Sequence, residues 1–226
     1  MSRPRLELES ALFLLARIEQ PDLDARPYRR AMDAMASEVR RRAEKEPPGL
    51  GRPLCLAQYL GQELGYAGSQ EDYHHPDRIH LHRVIETKLG MPLALSALYL
   101  FVARRAGLRA GIVPLPGHVM LRLYAAGDSG PAAGAGKDRS LLVDPFHRGA
   151  LRTRRECQQY LSQHGLASEP SWFRDAEDDA LFLRHVRNLH HSARRRGLGS
   201  LARELERVAR ALVRARGGRV PGRRRG

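Results

Sequence analysis

The sequence predicts an α+β fold: a buried central helix on a small antiparallel sheet, flanked by N-terminal helices and a C-terminal helical hairpin. Three observations predict it. From Leu93 to Ala106 the chain is almost entirely apolar until Arg104, and a helix apolar on nearly every face is a buried one. After Gly107 come short strand-like segments broken by Pro116-Gly117. Before and after these, apolar residues recur at helical spacing.

The length of 226 residues allows one substantial core plus a small appendage. The hydrophobic content of 42% is ordinary for a globular chain. No apolar run reaches the length of a membrane span. The opening Met1-Ser-Arg-Pro-Arg-Leu-Glu lacks an apolar targeting core, so the expected location is cytoplasmic. Cys55 and Cys157 match neither a zinc pattern nor a disulfide framework.

The net charge of +14 is concentrated at one end. From Arg184 onward there are 14 arginines against Glu204 and Glu206, which leaves only +2 for the first 183 residues. A solvated helical face accounts for such a run. Binding of nucleic acid through residues 184–226 is the functional alternative, because arginine clusters attract phosphates.

The elements follow in order. Leu6 to Glu19 carries apolar residues at 8, 11, 12, 15 and 18 and stops before Pro21. Arg26-Pro27 opens a second helix reaching about Glu46, with Met32, Met35 and Val39 as its stripe, and Pro47-Pro48 ends it. A third helix runs from Pro53 to Leu64, capped by Gly65. Gly68–Pro76 is irregular, and a fourth helix spans about Asp77 to Leu89. Gly90-Met91-Pro92 then breaks the chain and starts the buried helix, proline being favourable in a first turn where its missing N–H is not needed. Arg109–Leu115, His118–Tyr124 and Ser140–Val143 read as strands, with a Gly/Ala-rich insertion at about 126–139. Helices are expected over Thr153–Gln163, Asp178–Arg196 and Leu198–Arg216, the last two turning at Gly197. Residues 217–226 read as a disordered basic tail. The domain division expected is 1–50, 51–170 and 171–216.

Acyl transfer through a thiol needs a thiolate, an imidazole and a group that orients the imidazole. A helix N-terminus suits the thiolate because its partial positive charge lowers the thiol pKa. Here the buried helix begins with Pro92, and two strands follow that bring His118 and Asp144 together if they are antiparallel. Asp144 would then fix the tautomer of His118.

Several stretches together resemble a known family. They are Leu64-Gly65-Tyr66 with Glu71-Asp72-Tyr73, Val84-Ile85-Glu86, and Gly90-x-Pro92-x-x-Leu95-Ser96-x-Leu98-Tyr99. Ala103-Arg104-Arg105-x-Gly107-Leu108, Pro116-Gly117-His118 and Asp144-Pro145-Phe146-x-x-Gly149 continue the series. The combination resembles the transglutaminase-like (papain-like) superfamily, in particular its SirB-type branch, which shares its domain with certain F-box proteins. Arg187-Asn188-Leu189 resembles the start of the tetratricopeptide-like helices that often follow in that branch. In catalytic relatives, the resemblance implies, a cysteine starts the buried helix fifteen residues before its closing glycine. Counting back from Gly107 reaches Pro92. The branch commonly carries proline there, and His118 and Asp144 match its retained histidine and aspartate. One departure is His74-His75-Pro76-Asp77-Arg78, where the branch usually shows Tyr-Asp-Pro-x-Asn.

The resulting expectation is a binding or regulatory module with a protein or peptide partner and no cofactor, its nucleophile position filled by Pro92 and its His118–Asp144 dyad vestigial. Tyr73, Ser96 and His147 are candidates to line the cleft. The enzymatic alternative is an amide-bond hydrolase or acyltransferase using His118 and Asp144 with a non-standard nucleophile. Ser96 is one turn past Pro92, although a helical serine more often bonds a carbonyl in its own helix. Cys55 reads as a small buried thiol. His74, His75, His80 and His82 fit no zinc spacing, so no metal is expected there.

Overall fold

In the computed structural model of the chain, which describes residues 6–125 and 139–215, the buried helix is the hub. Helix α5 (Pro92–Arg105) buries every residue from Pro92 to Ala103. Around it pack α1 (Leu8–Ala16), α2 (Arg26–Ala43), α3 (Gly51–Ala57) and α4 (Leu81–Thr87). The sheet contributes β3 (Ala110–Val113), β4 (Met120–Tyr124), β5 (Ser140–Asp144) and β6 (Ala150–Arg152), antiparallel throughout in that order. Beyond it lie α6 (Arg154–Gln163), α7 (Asp178–Arg195) and α8 (Gly199–Ala215). The insertion up to residue 138 and the basic tail lie outside the described residues.

The sheet is buried on both faces, and its period of two sorts the side chains. Ile112, Leu121, Leu123 and Val143 join the main core with α5. Val113, Met120 and Leu142 face the other way, into a smaller cluster with Cys157, Leu161 and Phe173. The main core is continuous from Leu8 in α1 to Leu205 in α8. Buried Glu9 clasps α1 to α5 through Arg105, whose Nη1 is 2.6 Å from the carboxylate.

The structure corrects several boundaries. The third helix does not run regularly to Leu64: α3 ends at Ala57 and a π-helical turn covers Gln58–Glu63. At Gly61 a Cβ would lie 2.1 Å from the carbonyl oxygen of Arg148, so this wider turn is the seat for the loop after β5. Gly65 does close the segment, with φ of +79°. The fourth helix is split. A 3-10 turn covers Pro76–Arg78, and His80, extended at ψ 126°, precedes α4. Two further pairings went unpredicted. β1 (Ala67–Gly68) pairs in parallel with β2 (Leu89–Gly90), and β6 extends the antiparallel sheet. His75 caps the 3-10 turn: its Nδ1 accepts the N–H of Asp77 at 3.3 Å.

Buried histidines make this packing acid-sensitive. His185 is enclosed and donates from Nε2 to the Ile79 carbonyl at 2.7 Å, while His82 has neither ring nitrogen bonded among the described residues. Burial holds both well below the usual imidazole value, at about 4. The unfolded chain therefore binds protons first. Stability is full above pH 6.5 and falls as pH drops from 6.5 toward 4, by up to about 3 kcal/mol per histidine. Urea unfolding at a series of pH values checks this, and His185→Gln should flatten the slope.

Candidate functional site

β4 and β5 pair with Leu121 opposite Val143. That register sets the residues just before β4 beside the end of β5. His118 Nε2 is accordingly 3.0 Å from Asp144 Oδ2, and the conditional expectation from the sequence is realised. Gly117 supports the approach: its φ is +75°, and a Cβ there would meet the Tyr160 hydroxyl at 2.8 Å.

Asp144 is 1% exposed. A buried carboxylate needs partners, and Asp144 has several. Oδ1 accepts the backbone N–H of His147 at 3.2 Å, capping the short turn Pro145–His147. Oδ2 is 2.7 Å from His147 Nδ1 and 3.6 Å from Arg152 Nε. Burial pushes its carboxyl up, but His118 and then His147 outweigh that and hold it down at about 2. His118 Nε2, although close to Oδ2, makes no well-directed hydrogen bond among the described residues.

These residues line a cavity of about 520 Å³. Pro92 is in its wall at the start of α5, together with Tyr73, His118, Asp144 and His147. Tyr73 stands edge-on to Phe146 at 6.3 Å between ring centroids. Ser96 does not line it: the side chain is fully enclosed, and its hydroxyl has no partner among the described residues, not even the helix carbonyl expected for it. Cys55 is buried elsewhere, its Sγ 3.6 Å from the Gly51 carbonyl.

Sequence reasoning missed the far wall. Helix α6 contributes Glu156, Cys157, Gln159, Tyr160 and Gln163, and Arg152 precedes it. The detectable signal was the capping box Thr153-x-x-Glu156, which fixes the start of α6 and hence which of its residues turn inward. Cys157 is therefore the thiol at the cleft. Burial pushes it up to about 11, with nearby Asp144 adding to the effect. Such a thiol is overwhelmingly protonated at neutral pH and is no substitute nucleophile.

The enclosed start of α5 and a histidine–aspartate pair, His118 just before β4 and Asp144 at the end of β5, thus face one cleft. Residues 26–187 match the family described as the transglutaminase-like superfamily, and the chain belongs to it. It is 30% identical over 191 residues to a UPF0162 protein of Xylella fastidiosa strain 9a5c, covering 82% of this chain and 64% of that one. A counterpart from strain Temecula1 matches equally. F-box only protein 21 of Homo sapiens is 32% identical over 111 residues, 48% of this chain and 17% of that protein. The chain thus spans under two thirds of the length of these relatives. No solved structure matches.

Two outcomes are expected. Iodoacetamide at pH 7.5 should label Cys157 slowly in the folded protein and rapidly after denaturation, measured by mass spectrometry. Gly149→Ala should destabilise the fold by about 1–3 kcal/mol in chemical denaturation, because φ there is +74° and a Cβ would lie 2.6 Å from the Ala57 carbonyl oxygen.

Proposed function

We propose that this chain is a transglutaminase-like domain with Pro92 in place of the nucleophilic cysteine, and that it works as a binding or regulatory module, its cleft taking a peptide segment of a partner protein. The SirB-type branch is the subgroup it fits. One observation carries the reading: Pro92 lines the cleft at the helix start, and it has no atom that can attack a carbonyl. The alternative hydroxyl, Ser96, lies outside the cavity wall, and the cleft thiol, Cys157, is held protonated.

The cavity supports a peptide ligand. Tyr73, Phe146 and Tyr160 provide apolar ring surface, while Gln70, Gln159 and Gln163 offer amides that can both donate and accept along a peptide backbone. Arginine-rich α7 and α8 add positive charge outside the cleft. F-box only protein 21 is similar to this chain over 111 residues, so related sequence also occurs in a protein whose name carries no enzymatic activity.

The test is an activity measurement with glutamine-donor peptides, amine acceptors and amide substrates. Wild-type protein should show no turnover above background. Turnover that His118→Ala abolishes would establish the hydrolase or acyltransferase reading instead. Pro92→Cys is the complementary variant: the new thiol at the start of α5 should alkylate faster than Cys157, and a second change, His118→Ala, should slow it.

A further inference from the structure

Asp144 and the two imidazoles beside it bring together three donors that metal ions favour. We infer that His118, Asp144 and His147 form a binding site for one divalent transition-metal ion, zinc or a first-row neighbour, with its open coordination positions facing the cleft. The inference goes beyond the peptide-binding reading and does not depend on it.

Four observations carry it. One ligand atom from each of His118, Asp144 and His147 lies within 4.8 Å of the other two. His118 Nε2 is buried without a well-directed hydrogen bond, although it stands 3.0 Å from the carboxylate. The Asp144 oxygens divide their work: Oδ1 is committed to the His147 backbone N–H, while Oδ2 is turned to both rings. Such a backbone bond is the kind of outer support that orients a metal-binding carboxylate. Finally, the group opens on a cavity of about 520 Å³, so a water or ligand oxygen can complete the coordination.

The donor chemistry selects the ion. Two imidazoles and one carboxylate suit zinc, iron, cobalt or nickel and are poor for calcium or magnesium, which prefer all-oxygen shells. Bonds of about 2.0–2.2 Å in a tetrahedral arrangement place ligand atoms about 3.3 Å apart. The two distances to Oδ2, 3.0 and 2.7 Å, need to widen by only a few tenths of an ångström. Closing the remaining gap falls to His147, whose side chain is 55% exposed and can adjust once its 2.7 Å contact with Oδ2 is replaced by the metal bond. The guanidinium of Arg152, 3.6 Å from Oδ2, has to move outward, and Glu156 at 3.9 Å is placed to receive it. A divalent ion would also neutralise the enclosed carboxylate more completely than its present neighbours do.

The test uses the full chain, stripped with a chelator and desalted, then titrated with zinc chloride against a chromophoric chelator. Cobalt(II) chloride gives a second readout through its visible absorption. The expected result is one ion per chain, with affinity reduced at least about tenfold in His147→Ala and in His118→Ala. His147 is exposed, so its variant should keep the wild-type circular dichroism, and zinc should raise the melting temperature of wild type but not of that variant. His74→Ala serves as a control, since His74 and His191 form a separate ring pair at 4.7 Å. No binding, binding that survives both substitutions, or binding lost in His74→Ala would overturn the site. Peptide binding measured on the stripped protein separates this failure from failure of the module reading.

Discussion

The carboxylate of Asp144 is the constraint on which the cleft depends. An anion with almost no exposure is tolerated only where neighbours replace the water it has lost, and here they do so from both sides. One oxygen holds the turn after β5 and the other faces two imidazoles. The end of β5, the turn Pro145–His147 and the loop before β4 are thereby tied to a single point. α5 supplies the wall behind it, a helix whose enclosed faces leave no freedom to move independently of the core.

The turn itself is seated by close backbone approaches. Gly61 and Gly149 admit contacts between the α3 region and residues 148–149 that a side chain at either position would block. Gly68 does the same for the Phe146 ring, which a Cβ would meet at 2.1 Å. The π-helical turn, an irregularity in the third helix, thus matches a demand made elsewhere. Distortions of this kind are frequent where a helix serves a site.

The central helix, the order of strands and helices and the pairing of His118 with Asp144 were legible in the sequence. They rest on strong local signals: an apolar run bounded by Pro92 and Gly107, and strands marked by Pro116-Gly117 and Asp144-Pro145. What stayed hidden was set by tertiary contact. Two-residue strands such as Ala67–Gly68 have no periodicity to detect. Ser96 shares a helix with Pro92, but enclosure by the core, invisible in sequence spacing, keeps it out of the cavity. Cys157 entered the cleft through the docking of α6: the box Thr153-x-x-Glu156 marks where that helix starts, but not the element its inner face packs against. His147 was named as a cleft candidate, but its proximity to the same oxygen as His118 follows from the turn that Asp144 caps.

The Leu121–Val143 register carries a consequence for how this architecture can vary. Strand neighbours alternate between opposite sides, so sliding β5 by a single position would aim Val143 at His118 and bury Asp144 against hydrocarbon. Lengthening the connection between β4 and β5 leaves that alignment untouched. The cleft is therefore indifferent to how long the bridge between its strands is, yet intolerant of one amino acid gained or lost within either strand.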